Sequence, residues 1–245
     1  MRAANRVRDV FRGLVQRYGS SNIKRHLWNY EYSEGRWRCL GTMAGDCIYP
    51  HVEKYARNGS ILDLGCGPGA VENELNPSAY HSYTGVDICD VAIEKAKTRT
   101  SENGRTDKNN CVRSDILSYV PEEQYDVIMF GDSIYYFPSR RISGILDRYS
   151  KYLEQGGVFI LRSWMLKEKH RTLISNIQRD FEVLEKHLYH NSQMAVITFR
   201  VPARRGSAEK NAGPVMSYAP SRPRPTHSNY RSRRFSGHNG ATCAA

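Results

Sequence analysis

Nowhere in its 245 residues does this chain approach the roughly 20 consecutive apolar residues that a membrane-spanning helix requires. No membrane partner is therefore expected. Zinc-binding patterns are missing too. Cys39, Cys47, Cys66, Cys89, Cys111 and Cys243 form no C-x-x-C pair and no cysteine–histidine spacing of a zinc site. They read as free thiols of a cytoplasmic protein, and no metal is expected. The arginine-rich N-terminus lacks the unbroken apolar stretch of a secretory leader, although a basic, amphipathic mitochondrial leader also fits it. Acidic residues are scarce at both ends. Residues 1–38 hold nine Lys/Arg against three acids, and residues 201–245 hold eight against one. The net charge of +11 thus sits in the termini and leaves residues 39–200 near neutral. A nucleic-acid enzyme carries basic charge on its folded face, so no specific nucleic-acid partner is expected. Nothing in the chain fixes an oligomeric state.

What the chain does have is the run Ile61-Leu62-Asp63-Leu64-Gly65-Cys66-Gly67-Pro68-Gly69, a short buried strand breaking into a glycine turn. Alternate glycines remove the Cβ atoms that would keep a ligand off the backbone. About twenty residues on, Thr84-Gly85-Val86-Asp87-Ile88 reads as a second strand ending in an acid, which suits ribose hydroxyls. The glycine spacing is G-x-G-x-G, not the G-x-G-x-x-G of a dinucleotide site. Asp63, two residues before the first glycine, would repel a pyrophosphate and attract an amine. S-adenosylmethionine has an ammonium, a sulfonium and a ribose, and no phosphate. On these residues the chain resembles the class I S-adenosylmethionine-dependent methyltransferases. Asp63 to Gly69 matches their first motif, and Asp87 matches their second.

At this length one α/β domain with extra segments is expected. Val7, Val10, Phe11, Leu14, Val15 and Tyr18 recur at helical spacing, so residues 6–18 should form an amphipathic helix ended by Gly19-Ser20-Ser21-Asn22. Tyr30 to Trp37 reads as a polar, aromatic loop. Its Tyr32-Ser33-Glu34-Gly35-Arg36-Trp37 is similar to a segment that precedes the first motif in a group of bacterial small-molecule methyltransferases. Helix 44–57 should then lead into alternating strands (60–65, 82–87, 110–113, 125–130, 157–163) and helices (69–75, 90–99, 139–153, 166–180). A hairpin of strands near 181–190 and 193–200, turning at His190-Asn191-Ser192, should close the fold. Such alternation implies a doubly wound, mostly parallel sheet. The resemblance implies seven strands with one antiparallel edge strand. The expected organisation is an N-terminal helical lid over residues 1–43, a cofactor-binding domain over 44–202, and a disordered basic tail over 203–245, rich in Pro, Gly, Ser and Arg.

Ligands of such sheets bind beyond the carboxyl ends of the strands. Gly65, Cys66 and Gly67 should meet the methionine portion, with Asp63 orienting the ammonium, Asp87 holding the ribose and Ile88 packing on the adenine. Asp115 matches the family position that reaches the adenine amino group, with Ile116 as a backbone donor; it also fits a helix cap. Trp37 could offer its face to the sulfonium, or serve as a core anchor. The loop Phe130-Gly131-Asp132-Ser133-Ile134-Tyr135-Tyr136 should lie beside the transferred methyl. Gly131 would line the cofactor there. Asp132 could act as general base, hold the acceptor, or cap the following turn, and Tyr135 and Tyr136 could shape the acceptor pocket or belong to the core. His170 follows the fifth strand near the same place, and a surface position on the following helix fits it equally. The Asn/Asp-Pro-Pro-aromatic motif of many amine-methylating nucleic-acid enzymes is absent from this loop. The reading is methyl transfer from S-adenosylmethionine to a small-molecule acceptor at oxygen or nitrogen. Its rivals are an RNA or protein methyltransferase using the basic ends, and a cofactor-binding protein without catalysis.

Overall fold

The computed structural model describes residues 2–38, 45–189 and 193–202. The expected tail and the turn at 190–192 lie outside them, as do Cys39 and Cys243. Seven helices and seven strands follow in order: α1 (Arg2–Tyr18), α2 (Ser21–Ser33), α3 (Tyr49–Ala56), β1 (Gly59–Leu64), α4 (Ala70–Glu74), β2 (Tyr80–Asp87), α5 (Asp90–Glu102), β3 (Asn109–Arg113), β4 (Tyr125–Gly131), α6 (Ser139–Tyr149), β5 (Leu153–Trp164), α7 (Glu168–Asp180), β6 (Glu182–Tyr189) and β7 (Met194–Arg200). Among these residues no helix is long and apolar enough to cross a membrane.

The strands form one sheet in the order β3-β2-β1-β4-β5-β7-β6. Strands β3 to β5 run parallel, and β7 is antiparallel to both β5 and β6. The antiparallel strand is therefore second from the edge, and β6 is the edge; the expectation of an antiparallel edge strand needs this correction. A β6–β7 hairpin forces it, because β7 is the member that pairs with β5. Both sheet faces are covered, which explains the near-continuous apolar runs of β1, β4 and β7. Leu62, Leu64, Phe130, Phe159 and Leu161 pack on the α6–α7 side. Ile61, Val127, Met129 and Ile160 pack on the α3 side. Strand β5 begins earlier than expected, at Leu153. Gly156, at φ +86°, sits in the register break that separates the pair Tyr125–Leu153 from Val127–Val158.

The N-terminus departs most from the sequence reading. Residues 21–33 are helix, where a turn and the start of a loop were expected. Ser20 has extended backbone, and its hydroxyl accepts from the Ile23 amide at 3.5 Å, so it caps a second helix directly after Gly19 closes the first. Helix α1 forms as expected but is turned over. Val10, Phe11, Leu14 and Tyr18 are exposed, and Gln16 is buried. Polar contacts orient it: Arg12 ion-pairs with Glu31 of α2 at 2.6 Å and lies over the Trp37 ring.

Candidate functional site

The strand order reverses at β1, so the crevice between the carboxyl ends of β1 and β4 is where such a sheet takes a ligand. After β1 the chain turns through Gly65, Gly67 and Gly69 at φ +96°, +58° and +78°. At Gly65 a Cβ would stand 2.4 Å from the Ser133 Cβ, so only glycine lets the loop after β4 come this close. The Ser133 hydroxyl donates to the Leu64 carbonyl and ties the two loops together. A Cβ on Gly69 would stand 2.8 Å from the Ala96 backbone, so this glycine permits the approach of α5.

Asp63 lies beneath this turn and is 1% exposed. The Tyr83 hydroxyl donates to its Oδ2 at 2.7 Å, while its Oδ1 is buried with no partner. Burial pushes its pKa up to about 7, against the opposing pull of the Tyr83 bond and Arg162. Glu72 on α4 is similarly buried and also raised to about 7. Asp87 closes β2 with both oxygens on backbone: the Gly67 amide donates to Oδ2 at 3.0 Å and the Cys89 amide to Oδ1 at 2.9 Å. Burial raises its pKa, and the amides of Cys89, Gly67 and Ile88 oppose the rise. Gly65, Gly67, Asp63 and Asp87 are thus brought together. Cys66 is buried among Ile93, Ala96 and Cys111, and burial raises its thiol pKa.

At the neighbouring strand ends, Ile88 is half-buried and the Ile116 side chain belongs to the core. Asp115 Oδ1 accepts from the Leu117 amide at 2.9 Å, and Oδ2 accepts from the Ser21 hydroxyl of α2. Other α2 residues grip the same edge. Arg25 holds Asp90 with bonds of 2.6 and 2.9 Å, and Asn29 adds one of 2.7 Å. Arg25, then Asn29, draw the Asp90 pKa down to about 2. Trp28 sets its edge on Tyr136, centroids 5.0 Å apart. Helix α2 therefore lies across the ends of β2, β3 and β4. Its Arg25/Asn29 and Trp28/Tyr32 pairs, each four residues apart, were the available signal for this helix. Trp37 is buried against Tyr32, Cys89 and Ala92, donates to Glu31 at 3.0 Å, and has the Arg12 guanidinium over its ring at 5.7 Å.

After β4, Gly131 is half-buried and Asp132 adopts φ +60°, uncommon for a residue with a side chain. Asp132 Oδ2 accepts from Arg162 Nε at 2.8 Å, and Oδ1 is buried with no partner. Arg162 also pairs with Asp46. Burial works to lower the Arg162 pKa, and Asp132 and Asp46 outweigh it, so the guanidinium stays charged. Asp132, raised by burial, is thus one arm of a buried ion triad whose partners no sequence pattern pairs. Tyr135 stacks on His170, centroids 4.5 Å apart. His170 Nδ1 lies 2.6 Å from the Trp164 carbonyl, which can only accept, so this nitrogen carries the proton. Its Nε2 is left as a buried, unpartnered acceptor. Burial, then Lys169, push the His170 pKa down to about 4.

The arrangement suits S-adenosylmethionine. Asp63 leaves an unpartnered oxygen for a cation, the glycines at 65, 67 and 69 let the turn take left-handed backbone, and Asp87 sits at the adjoining strand end. Comparison with known proteins agrees. Residues 50–235 match the model of a family described as the methyltransferase domain. The chain is 24% identical over 170 residues to a sterol 24-C-methyltransferase of Gibberella zeae, covering 65% of this chain and 44% of that protein. It is 29% identical over 123 residues to an mRNA cap guanine-N(7) methyltransferase of Schizosaccharomyces pombe, covering 44% and 34%. The chain thus spans less than half the length of these relatives. In fold it is similar to the N-methyltransferase NodS of Bradyrhizobium japonicum, crystallised with S-adenosylhomocysteine, with TM-score 0.55 and 18% identity over 69% of this chain and 98% of that one. It is also similar to the magnesium protoporphyrin IX methyltransferase of Synechocystis, crystallised with S-adenosylmethionine, with TM-score 0.54 and 15% identity over 74% and 96%. The chain belongs to the methyltransferase-domain family, the class I methyltransferases whose cofactor is S-adenosylmethionine.

Proposed function

We propose that this chain transfers the methyl group of S-adenosylmethionine to a small-molecule acceptor, at oxygen or nitrogen. The observation that carries the reading is the buried, unpartnered Asp63 oxygen beneath a turn of three positive-φ glycines. In this reading Asp63 orients the ammonium, and Gly65, Cys66 and Gly67 line the methionine portion. Asp87 accepts from the ribose hydroxyls through its remaining lone pairs. Ile88, Asp115 and the Ile116 backbone define the adenine site, and Gly131 borders the methyl. Trp37 acts on the cofactor through Tyr32 and α2, because Arg12 lies over its ring.

The cofactor supplies an activated methyl on a sulfonium, so the protein mainly has to align the acceptor and manage its proton. Two groups after β4 and β5 suit that task. The Asp132 Oδ1 is free of partners, although Arg162 holds the other oxygen and weakens the carboxylate as a base. His170 is neutral at pH 7 and presents a bare Nε2 that can accept a proton, although the burial that keeps it neutral also makes it a weaker base than a free imidazole. Tyr135 stacks on that ring and fixes its plane. We assign His170 as the proton acceptor, with Asp132 and Tyr135 positioning the substrate.

The test is a screen of a metabolite extract with methyl-labelled cofactor, followed by kinetics on the labelled acceptor. His170→Asn should lower kcat at least tenfold and leave S-adenosylhomocysteine affinity within twofold of wild type. Unchanged kcat removes His170 from the chemistry. Tight cofactor binding with no labelled acceptor favours a non-catalytic binding protein, and label appearing only in RNA or protein favours the macromolecular rival.

A further inference from the structure

Away from the candidate site, helix α3 and the edge strand β6 bring together His51, Glu185 and His187. We propose that these three side chains bind a single divalent transition-metal ion of the zinc type. Glu185 and His187 are alternate residues of β6, so they share a face. A register shift between Val183 and Glu185 places an extra residue in β6 just before them, and such a bulge resets which face the following residues occupy. That face meets the buried His51. Glu185 Oε2 lies 3.5 Å from His51 Nδ1 and 3.6 Å from His187 Nε2. One ligand atom from each of the three residues lies within 4.8 Å of the others. Ligands held about 2.0–2.1 Å from a tetrahedral ion stand roughly 3.3 Å from one another. Two of the three separations are therefore within a few tenths of an ångström of the bound geometry. His187 is half exposed on an edge strand and can supply the remaining movement.

The surroundings support the assignment. The Tyr189 hydroxyl lies 2.9 Å from His51 Nε2, an outer partner that leaves the Nδ1 lone pair facing Glu185. Without an ion, the Lys54 ammonium on Glu185 Oε1 supplies the positive charge and leaves Oε2 for the metal. Two imidazoles and one carboxylate favour zinc or copper over magnesium and calcium. The open side at His187 leaves the fourth position to water. The sequence could not indicate this site, because His51 lies more than 130 positions from Glu185 and His187.

The experiment uses the full chain, stripped with a chelator and titrated with zinc chloride by calorimetry, alongside thermal melting. One equivalent should bind and raise the melting temperature, since a ligand specific for the folded state stabilises it. His187→Ala, at an exposed position that tolerates truncation, and Glu185→Gln should each weaken zinc at least tenfold. Both should leave S-adenosylhomocysteine affinity unchanged. Lys54→Gln should tighten zinc binding, because it removes the competing ammonium. Cys39→Ser and Cys243→Ser should have no effect. Zinc affinity that is the same in His187→Ala and Glu185→Gln as in wild type, or no saturable binding to wild type, overturns the proposal.

Discussion

Replacing Asp63 with asparagine separates a cofactor-binding carboxylate from a merely structural one. Its pKa of about 7, against 3.8 for a free side chain, places the charged form about 4 kcal/mol higher in the folded protein. The sign follows from linkage. Below pH 4 the group is protonated in both states and contributes nothing. Between pH 4 and 7 the unfolded chain has released a proton that the folded chain retains, so stability falls by about 1.4 kcal/mol per pH unit. Above pH 7 the loss is complete and constant. Asparagine keeps an acceptor for the Tyr83 hydroxyl and cannot ionise. Asp63→Asn should therefore gain about 3 kcal/mol relative to wild type between pH 5 and pH 8, measured by urea unfolding at each pH. Glu72→Gln should show the same signature, because Glu72 is raised to about 7 by the same burial. The two variants should part on ligand binding. Asp63→Asn should weaken S-adenosylhomocysteine by about 1.5–3 kcal/mol, the range for hydrogen bonds to charged groups, and Glu72→Gln should leave it unchanged. Wild-type affinity should also rise with pH until about 7, as Asp63 gives up the proton that competes with the ammonium. Equal stability changes at both pH values, with unaltered affinity, would refute the reasoning and reduce Asp63 to a hydrogen-bond partner of Tyr83.

Asp87→Ala should weaken S-adenosylhomocysteine by about 1.5–3 kcal/mol in calorimetry, and equal affinities would remove Asp87 from the site. Hydrogen exchange across residues 21–33 should slow when S-adenosylhomocysteine binds, since α2 lies over the strand ends; protection unchanged by ligand would mean that no lid moves. The double variant Arg25→Ala/Asn29→Ala releases Asp90 and should speed exchange in the same segment without lowering the global unfolding free energy.

The sheet was legible because parallel strands buried on both faces are written as apolar runs, and the glycine turn after β1 admits few alternatives. Asp63, Asp87 and Asp115 stand at the ends of, or within, strands whose positions the pattern fixes, so their approach to one edge followed from topology. Tertiary pairing was not legible. Nothing in the sequence says that Arg162 reaches both Asp132 and Asp46, and that pairing changes what Asp132 can do as a base. Nor does the stripe from Val10 to Tyr18 reveal its direction. An amphipathic helix docks by whichever face finds partners, and here Glu31 and Trp37 offered a better site for Arg12 than the core offered for Phe11.

Helix α2 is where these two kinds of information meet. Its sequence is polar and aromatic because it is read from outside the core, with donors aimed at carboxylates on the sheet edge. Ser21 reaches Asp115, and Arg25 and Asn29 reach Asp90. A carboxylate oxygen has two lone pairs, so Asp115 can accept from Ser21 and from an adenine amino group together. In the proposed reading the same aspartate anchors both helix and ligand. Each contact would then order the group that the other needs, which would make closure of α2 and occupancy of the adenine site mutually reinforcing. A helix built on apolar burial alone would dock whether or not the site was filled. One held in part by hydrogen bonds and a half-exposed Arg25–Asp90 pair opens at lower cost, and in the proposed reading such an opening is the route by which the cofactor is exchanged.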